Sequence, residues 1–79
     1  MKDFKTFKEE LQAMLRNMEK EHAAKCEKIE KYMDDYFRER AKSEPNAFLP
    51  DPVAVQVTLL LSEAEDKIRE AQTYIYQVN

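Results

Sequence analysis

All three prolines of this 79-residue chain, Pro45, Pro50 and Pro52, fall in one short stretch, and glycine occurs nowhere. Proline cannot donate a backbone hydrogen bond and disfavours helical geometry at the residue before it, so Pro45 ends any helix near Ala41 to Glu44. Asp51 followed by Pro52 has the opposite meaning. The aspartate accepts the orphan amide protons of a new helix, and proline at the first helical position has no amide proton to orphan. The sequence therefore predicts a single domain over residues 1–79, with helix 1 over about 4–42, a loop over 43–51 whose rigid corner is residues 45–50, and helix 2 over about 52–78.

Apolar residues in the first tract fall at Phe4, Phe7, Leu11, Met14, Met18, Ile29, Met33 and Phe37, steps of three and four that define a helical stripe. Thr6 and Glu9 have capping-box spacing, with Asp3 as the other candidate N-cap. In the second tract the stripe runs Val53, Val57, Leu60, Ala64, Ile68, Ala71, Ile75 and Val78. Acidic residues four places before basic ones, at Glu21 and Lys25, Glu27 and Lys31, Asp34 and Arg38, Glu63 and Lys67, and Glu65 and Arg69, support exposed helix faces. Alternating β-branched residues between Val53 and Leu61 also allow a strand, but the chain offers it no partner strand.

A connection this short makes an antiparallel two-helix hairpin, the fold class expected here. Pairing about a turn near Ala47 puts Val78 near Leu15 and Gln72 near His22, and leaves the amino end up to about Leu11 as an overhang. Between Val53 and Leu61 only Gln56 and Thr58 are polar, so helix 2 begins apolar on nearly every side, and such a helix is normally buried on every side. One neighbouring helix covers only a stripe. Covering each large apolar side chain left wet contributes about 1.5 to 3 kcal/mol, which argues for a second chain. The closed solution is a homodimer of hairpins forming a four-helix bundle; another protein could cover the same surface. The expected interface residues are Phe4, Phe7, Leu11, Val55, Leu59 and Leu61, with Tyr74 and Tyr76 as amphipathic candidates, and parts of Tyr32 and Tyr36 also left open.

The only histidine and the only cysteine stand together in Glu19-Lys20-Glu21-His22-Ala23-Ala24-Lys25-Cys26. Read as packing, His22 and Cys26 continue the stripe in steps of four, a stutter that locally unwinds a coiled coil, and Ala23 and Ala24 meet Ala64 and Ala71 where the helices approach closely. The competing reading takes Glu19-x-x-His22 as metal ligands. In that motif alone the chain resembles the ferritin-like di-iron proteins, which draw a Glu-x-x-His pair from each of two helices and a Glu from each of the others; Glu63, Asp66 and Glu70 are the candidates from helix 2. Zinc held by His22 and Cys26 from two chains is the other metal arrangement, since i, i+4 spacing puts both ligands on one face.

Other classes find less support. Without glycine there is no phosphate-cradling loop or dinucleotide fingerprint, and no cofactor is expected. Residues 1–44 carry eleven basic and eleven acidic residues and residues 45–79 two and five, so the net charge of −3 sits on the second half and no basic stripe for nucleic acid emerges. No tract has the ~20 apolar residues of a membrane span, and the basic amphipathic end of Lys2, Lys5 and Lys8 with Phe4 and Phe7 is too short for firm anchoring. Cys26 has no orienting third group for nucleophilic catalysis, and Asp34 and Asp35 diverge around the helix. A lone thiol and no signal-peptide pattern suit a cytoplasmic setting. The expectation is a small acidic protein that works by binding, as an adaptor, assembly subunit or inhibitor, and not as an enzyme. Its partners are itself or another protein, with neither nucleic acid nor membrane.

Overall fold

The computed structural model describes residues 3–44 and 51–78, and these form two helices with no strand among them: α1 over Phe4–Ser43 and α2 over Pro52–Gln77. The corner at 45–50, like Lys2, lies outside the described residues. Asp3 is the N-cap of α1. Its Oδ1 accepts the Thr6 amide at 2.7 Å, so Thr6 lies inside the helix and the capping box starting there is not used. At the second start, Asp51 Oδ1 accepts the Val53 amide at 2.8 Å with Pro52 at the first helical position, so the Val53–Leu61 tract is helical. A capped start and the i, i+4 backbone bonding of a helix outweigh the β preference of its valines.

The helices lie antiparallel: Lys8 reaches the backbone of Tyr76 and Val78, Glu19 meets Arg69 and Gln72, and Met33 and Phe37 share a groove with Ala54 and Thr58. The register differs from the one expected. Gln72 lies against Glu19 and not His22, and Val78 lies near Lys8 and not Leu15, so α2 is displaced toward the amino end of α1 by about one turn. A pairing centred on the corner assumes that both helices end at the same level. Instead the last turn of α1 projects past the start of α2, and the amino-terminal overhang shrinks correspondingly.

The seam also uses different residues. On α1 the half-buried positions along the seam are Lys8, Leu11, Gln12, Leu15, Glu19, His22, Cys26, Met33, Phe37 and Ala41; on α2 they are Ala54, Val57, Thr58, Leu61, Glu65 and Gln72, with Ile68 and Ile75 the most buried pair. Met14 and Met18, assigned to the packing stripe from sequence, are exposed, Met14 at 66%. Val53, Leu60, Ala64 and Ala71 are exposed as well, whereas Leu61, expected outside, packs inside. Ala23 and Ala24 likewise face away from the seam. In each helix two adjacent apolar stripes compete. The stripe giving continuous contact at the observed register, through Leu15, Cys26, Phe37, Leu61, Ile68 and Ile75, takes the seam.

The resulting object is a rod of 63 × 16 × 13 Å with a radius of gyration of 18.4 Å, against about 12 Å for a compact domain of this length. Its accessible surface is 6744 Å², where a compact monomer of 9.4 kDa exposes about 5,000 Å². Two buried isoleucines among the described residues are a very small core, and a single core in a chain this size rarely supplies more than about 3 to 5 kcal/mol.

Candidate functional site: one apolar face of the hairpin

Residues of a helix turn by about 100° each. With the α1 seam as reference, Phe7, Met14, Met18, Ile29, Tyr32 and Tyr36 lie about a quarter-turn to one side, and Phe4 stands at the free end of the same stripe. On α2, Val53, Leu60, Ala64 and Ala71 also lie about a quarter-turn from the seam. Because the helices are antiparallel, these two quarter-turns point the same way, and the stripes form one face. The opposite face gives an independent check on this handedness. There Gln12 and Arg16 share a groove with Thr73 and Tyr76, and Glu30 and Asp34 share one with Asp51, Ala54 and Thr58, residues at the edge of the seam and on the flank away from the apolar stripes.

The apolar face is well exposed along its length: Tyr32 at 75% and Leu60 at 53%, with Phe4, Phe7, Met18, Ile29, Tyr36 and Val53 all open. Phe4 and Phe7 are in ring contact, with centroids 6.0 Å apart. Two charged residues, Glu21 and Lys25, interrupt the strip midway. The polar face carries ion pairs instead, including Asp34 with Arg38 at 2.8 Å. Lys67 turns to Glu70 at 3.2 Å, whereas the sequence paired it with Glu63.

The interface residues expected from sequence separate into three groups. Phe4 and Phe7 belong to the apolar face. Leu11 and Leu61 are half-buried in the seam. Val55 and Leu59 are exposed near the start of α2 but point to the polar side, and Tyr74 and Tyr76 are exposed toward its other end, Tyr76 with Lys8 Nζ 5.8 Å from its ring centroid. No single flat surface joins them. Of the residues that do form one, Met14, Met18, Ile29 and Leu60 belong to the periodic pattern that the sequence assigns to the seam, whereas Tyr32 and Tyr36 are the ones it leaves partly open.

Glu19, His22 and Cys26 are held in the seam by other work. Glu19 Oε2 accepts Arg69 Nε at 2.8 Å and Oε1 accepts Gln72 Nε2 at 3.1 Å, so both carboxylate oxygens are engaged across the helices; Arg69 also donates to Glu65 at 3.0 Å. Cys26 Sγ lies 3.5 Å from His22 Nε2 and 3.6 Å from Nδ1, one turn apart on α1. Among the described residues of one chain, no three His, Cys, Asp or Glu side chains gather as a metal site would require. Any such site needs ligands from a second chain and the release of Glu19 from Arg69.

The Arg69 guanidinium, and after it the Gln72 amide, hold the Glu19 carboxyl below the ordinary carboxylate range. Hydrogen bonding from the Thr6 backbone amide lowers Asp3 in the same direction. A carboxyl depressed in the fold contributes stability above its unfolded pKa and loses that contribution as pH falls through its folded value. Helical content should therefore decline on acidification below about pH 4.3, the ordinary glutamate value, and Glu19→Gln should flatten part of that decline. An acid titration followed by far-ultraviolet circular dichroism, unchanged by Glu19→Gln, would remove Glu19 from this role.

No described helix is long and apolar enough to cross a membrane. Comparison with protein families, characterised proteins and solved structures finds no match.

Proposed function

We propose that this chain is a non-catalytic protein–protein interaction module that docks through the apolar face of its hairpin. The observation that carries the reading is the strip of Met14, Met18, Ile29, Tyr32 and Tyr36 beside Val53 and Leu60, open to solvent in a molecule whose buried core, among the described residues, is Ile68 and Ile75. Exposed apolar surface on this scale marks an interaction site, and methionine and tyrosine suit it, since methionine adapts its shape and tyrosine pairs an apolar body with a polar tip. Two antiparallel helices side by side match the width of another helix pair, so the assembled form is a four-helix bundle. The role is that of an adaptor, assembly subunit or inhibitor. The unpaired Cys26 fits a cytoplasmic setting.

Met18→Glu together with Leu60→Glu should test this with little effect on the seam, because neither side chain packs there. The expected result is loss of association, read by light scattering on the purified chain and by capture of binding proteins, with the helical signal retained at low temperature. A double variant that associates and captures as the unaltered chain does would refute the apolar face as the docking surface.

A further inference from the structure

Resting on the docking face just described, the geometry points to its occupant: we infer that a second copy of this chain packs on it antiparallel, with the two-fold axis crossing α1 midway between Ala23 and Ala24. Three observations converge on that level.

The first is the pattern on α1. Phe4–Ser43 has its midpoint between Ala23 and Ala24, and reversing the helix about that point maps the central part of the exposed strip, Met14 to Tyr32, onto itself. Met18 falls opposite Ile29 and, within one residue, Met14 opposite Tyr32, while Tyr36 comes level with Leu11 of the seam. The charged interruption is matched too, since Glu21 of each copy lies within a residue of the level of Lys25 in the other, so opposite charges meet at the centre. Arg40 comes opposite Phe7, a cation facing an aromatic ring.

The second comes from α2 and does not use that pattern. The contacts of Glu19 with Arg69 and Gln72 fix the register, and they put the midpoint of α1 level with about Glu65 to Lys67 of α2. Reversal of α2 about this level sets Leu60 opposite Ala71 and Val53 opposite Val78. A large side chain facing a small one is the complementarity that lets facing layers interdigitate.

The third is length and area. At 1.5 Å per residue α1 spans about 60 Å and extends past α2 at both ends. Antiparallel copies pair α1 with α1 over that whole length, so Phe4 and Phe7 rest on the last turns of the partner. A parallel two-fold would set α1 against the shorter α2 and leave Phe4 and Phe7 bare. The surface in excess of a compact monomer, about 1,700 Å² per chain, is as large as a standard stable interface covers in total.

The test uses the full chain. Sedimentation equilibrium should give twice the monomer mass at low micromolar concentration. Spin labels on Lys5→Cys in a Cys26→Ser background should then lie about 55 Å apart between copies by dipolar spectroscopy, because Lys5 of one copy sits at the level of residue 42 of the other. A parallel dimer would bring these labels to the same end, within about two helix diameters, and would overturn the arrangement. A chain monomeric at high micromolar concentration would overturn self-pairing. The docking reading fails separately, only if Met18→Glu with Leu60→Glu also leaves the capture of other proteins unchanged.

Discussion

Ile68→Ala is expected to abolish cooperative unfolding of this chain near room temperature. Ile68 and Ile75 are each 8% exposed, and among the described residues no other large side chain is as well covered. Truncating a buried isoleucine to alanine costs about 2 to 5 kcal/mol through lost transfer energy and the cavity left behind. That equals the whole contribution expected of a core this small, about 3 to 5 kcal/mol. The site lies one residue from Arg69, so a cavity there also loosens the Arg69–Glu19 link that fixes the register. Thermal melts by circular dichroism should lose their sigmoidal shape, with residual helix that fades gradually on heating. A sigmoidal transition retained within a few degrees of the unaltered chain would mean that stability resides elsewhere. Ile75→Ala should show the same loss, since Ile75 is equally buried at the far end of the same stripe.

The second large effect separates two adjacent leucines. Leu60→Asp should reduce association strongly while sparing the hairpin, whereas Leu61→Asp should disrupt the hairpin itself. The reason is angular. Leu61 is half-buried on the seam stripe it shares with Val57 and Ile68, where burying an unpaired carboxylate costs several kcal/mol, order of magnitude. Leu60, one residue earlier, stands about a quarter-turn away on the open face. There a carboxylate remains solvated in the free chain and is desolvated only on docking. Light scattering reports the first effect and circular dichroism the second. The reverse outcome, with Leu60→Asp unfolding the chain and Leu61→Asp abolishing only association, would show that the seam runs through Leu60.

The two helices and their caps were legible because their signals are local. Asp3, Asp51, Pro45 and Pro52 act within one turn of themselves, so no knowledge of the rest of the molecule is needed to read them. The division of labour between stripes was not legible. Phe4, Phe7, Leu11, Met14 and Met18 give a clean helical period, but a period says only that a face is apolar and not which neighbour covers it. Polar residues concealed the true seam. Glu19, Glu65 and Gln72 are half-buried in it, and Glu19 and Gln72 interrupt the apolar pattern while hydrogen bonding to one another. Once Glu19 is seen to face α2, Leu15 follows it into the seam and Met14 and Met18 are left outside. The register was hidden for a related reason. It is set by Lys8, Glu19 and Arg69, long polar side chains whose reach no hydrophobic pattern records.

Lys8 also bears on how the two halves depend on each other. Its Nζ donates to the carbonyl oxygens of Tyr76 at 2.9 Å and Val78 at 2.7 Å, while the last turn of α2 has no basic residue of its own. The positive charge that α2 requires at its negative pole is thus lent by the other helix, nearly seventy residues earlier in the chain. Severed from α1, the second helix would keep its own beginning and lack an ending. The chain closes like a clasp, and whatever pries Lys8 loose starts the opening at the free tips and not at the corner.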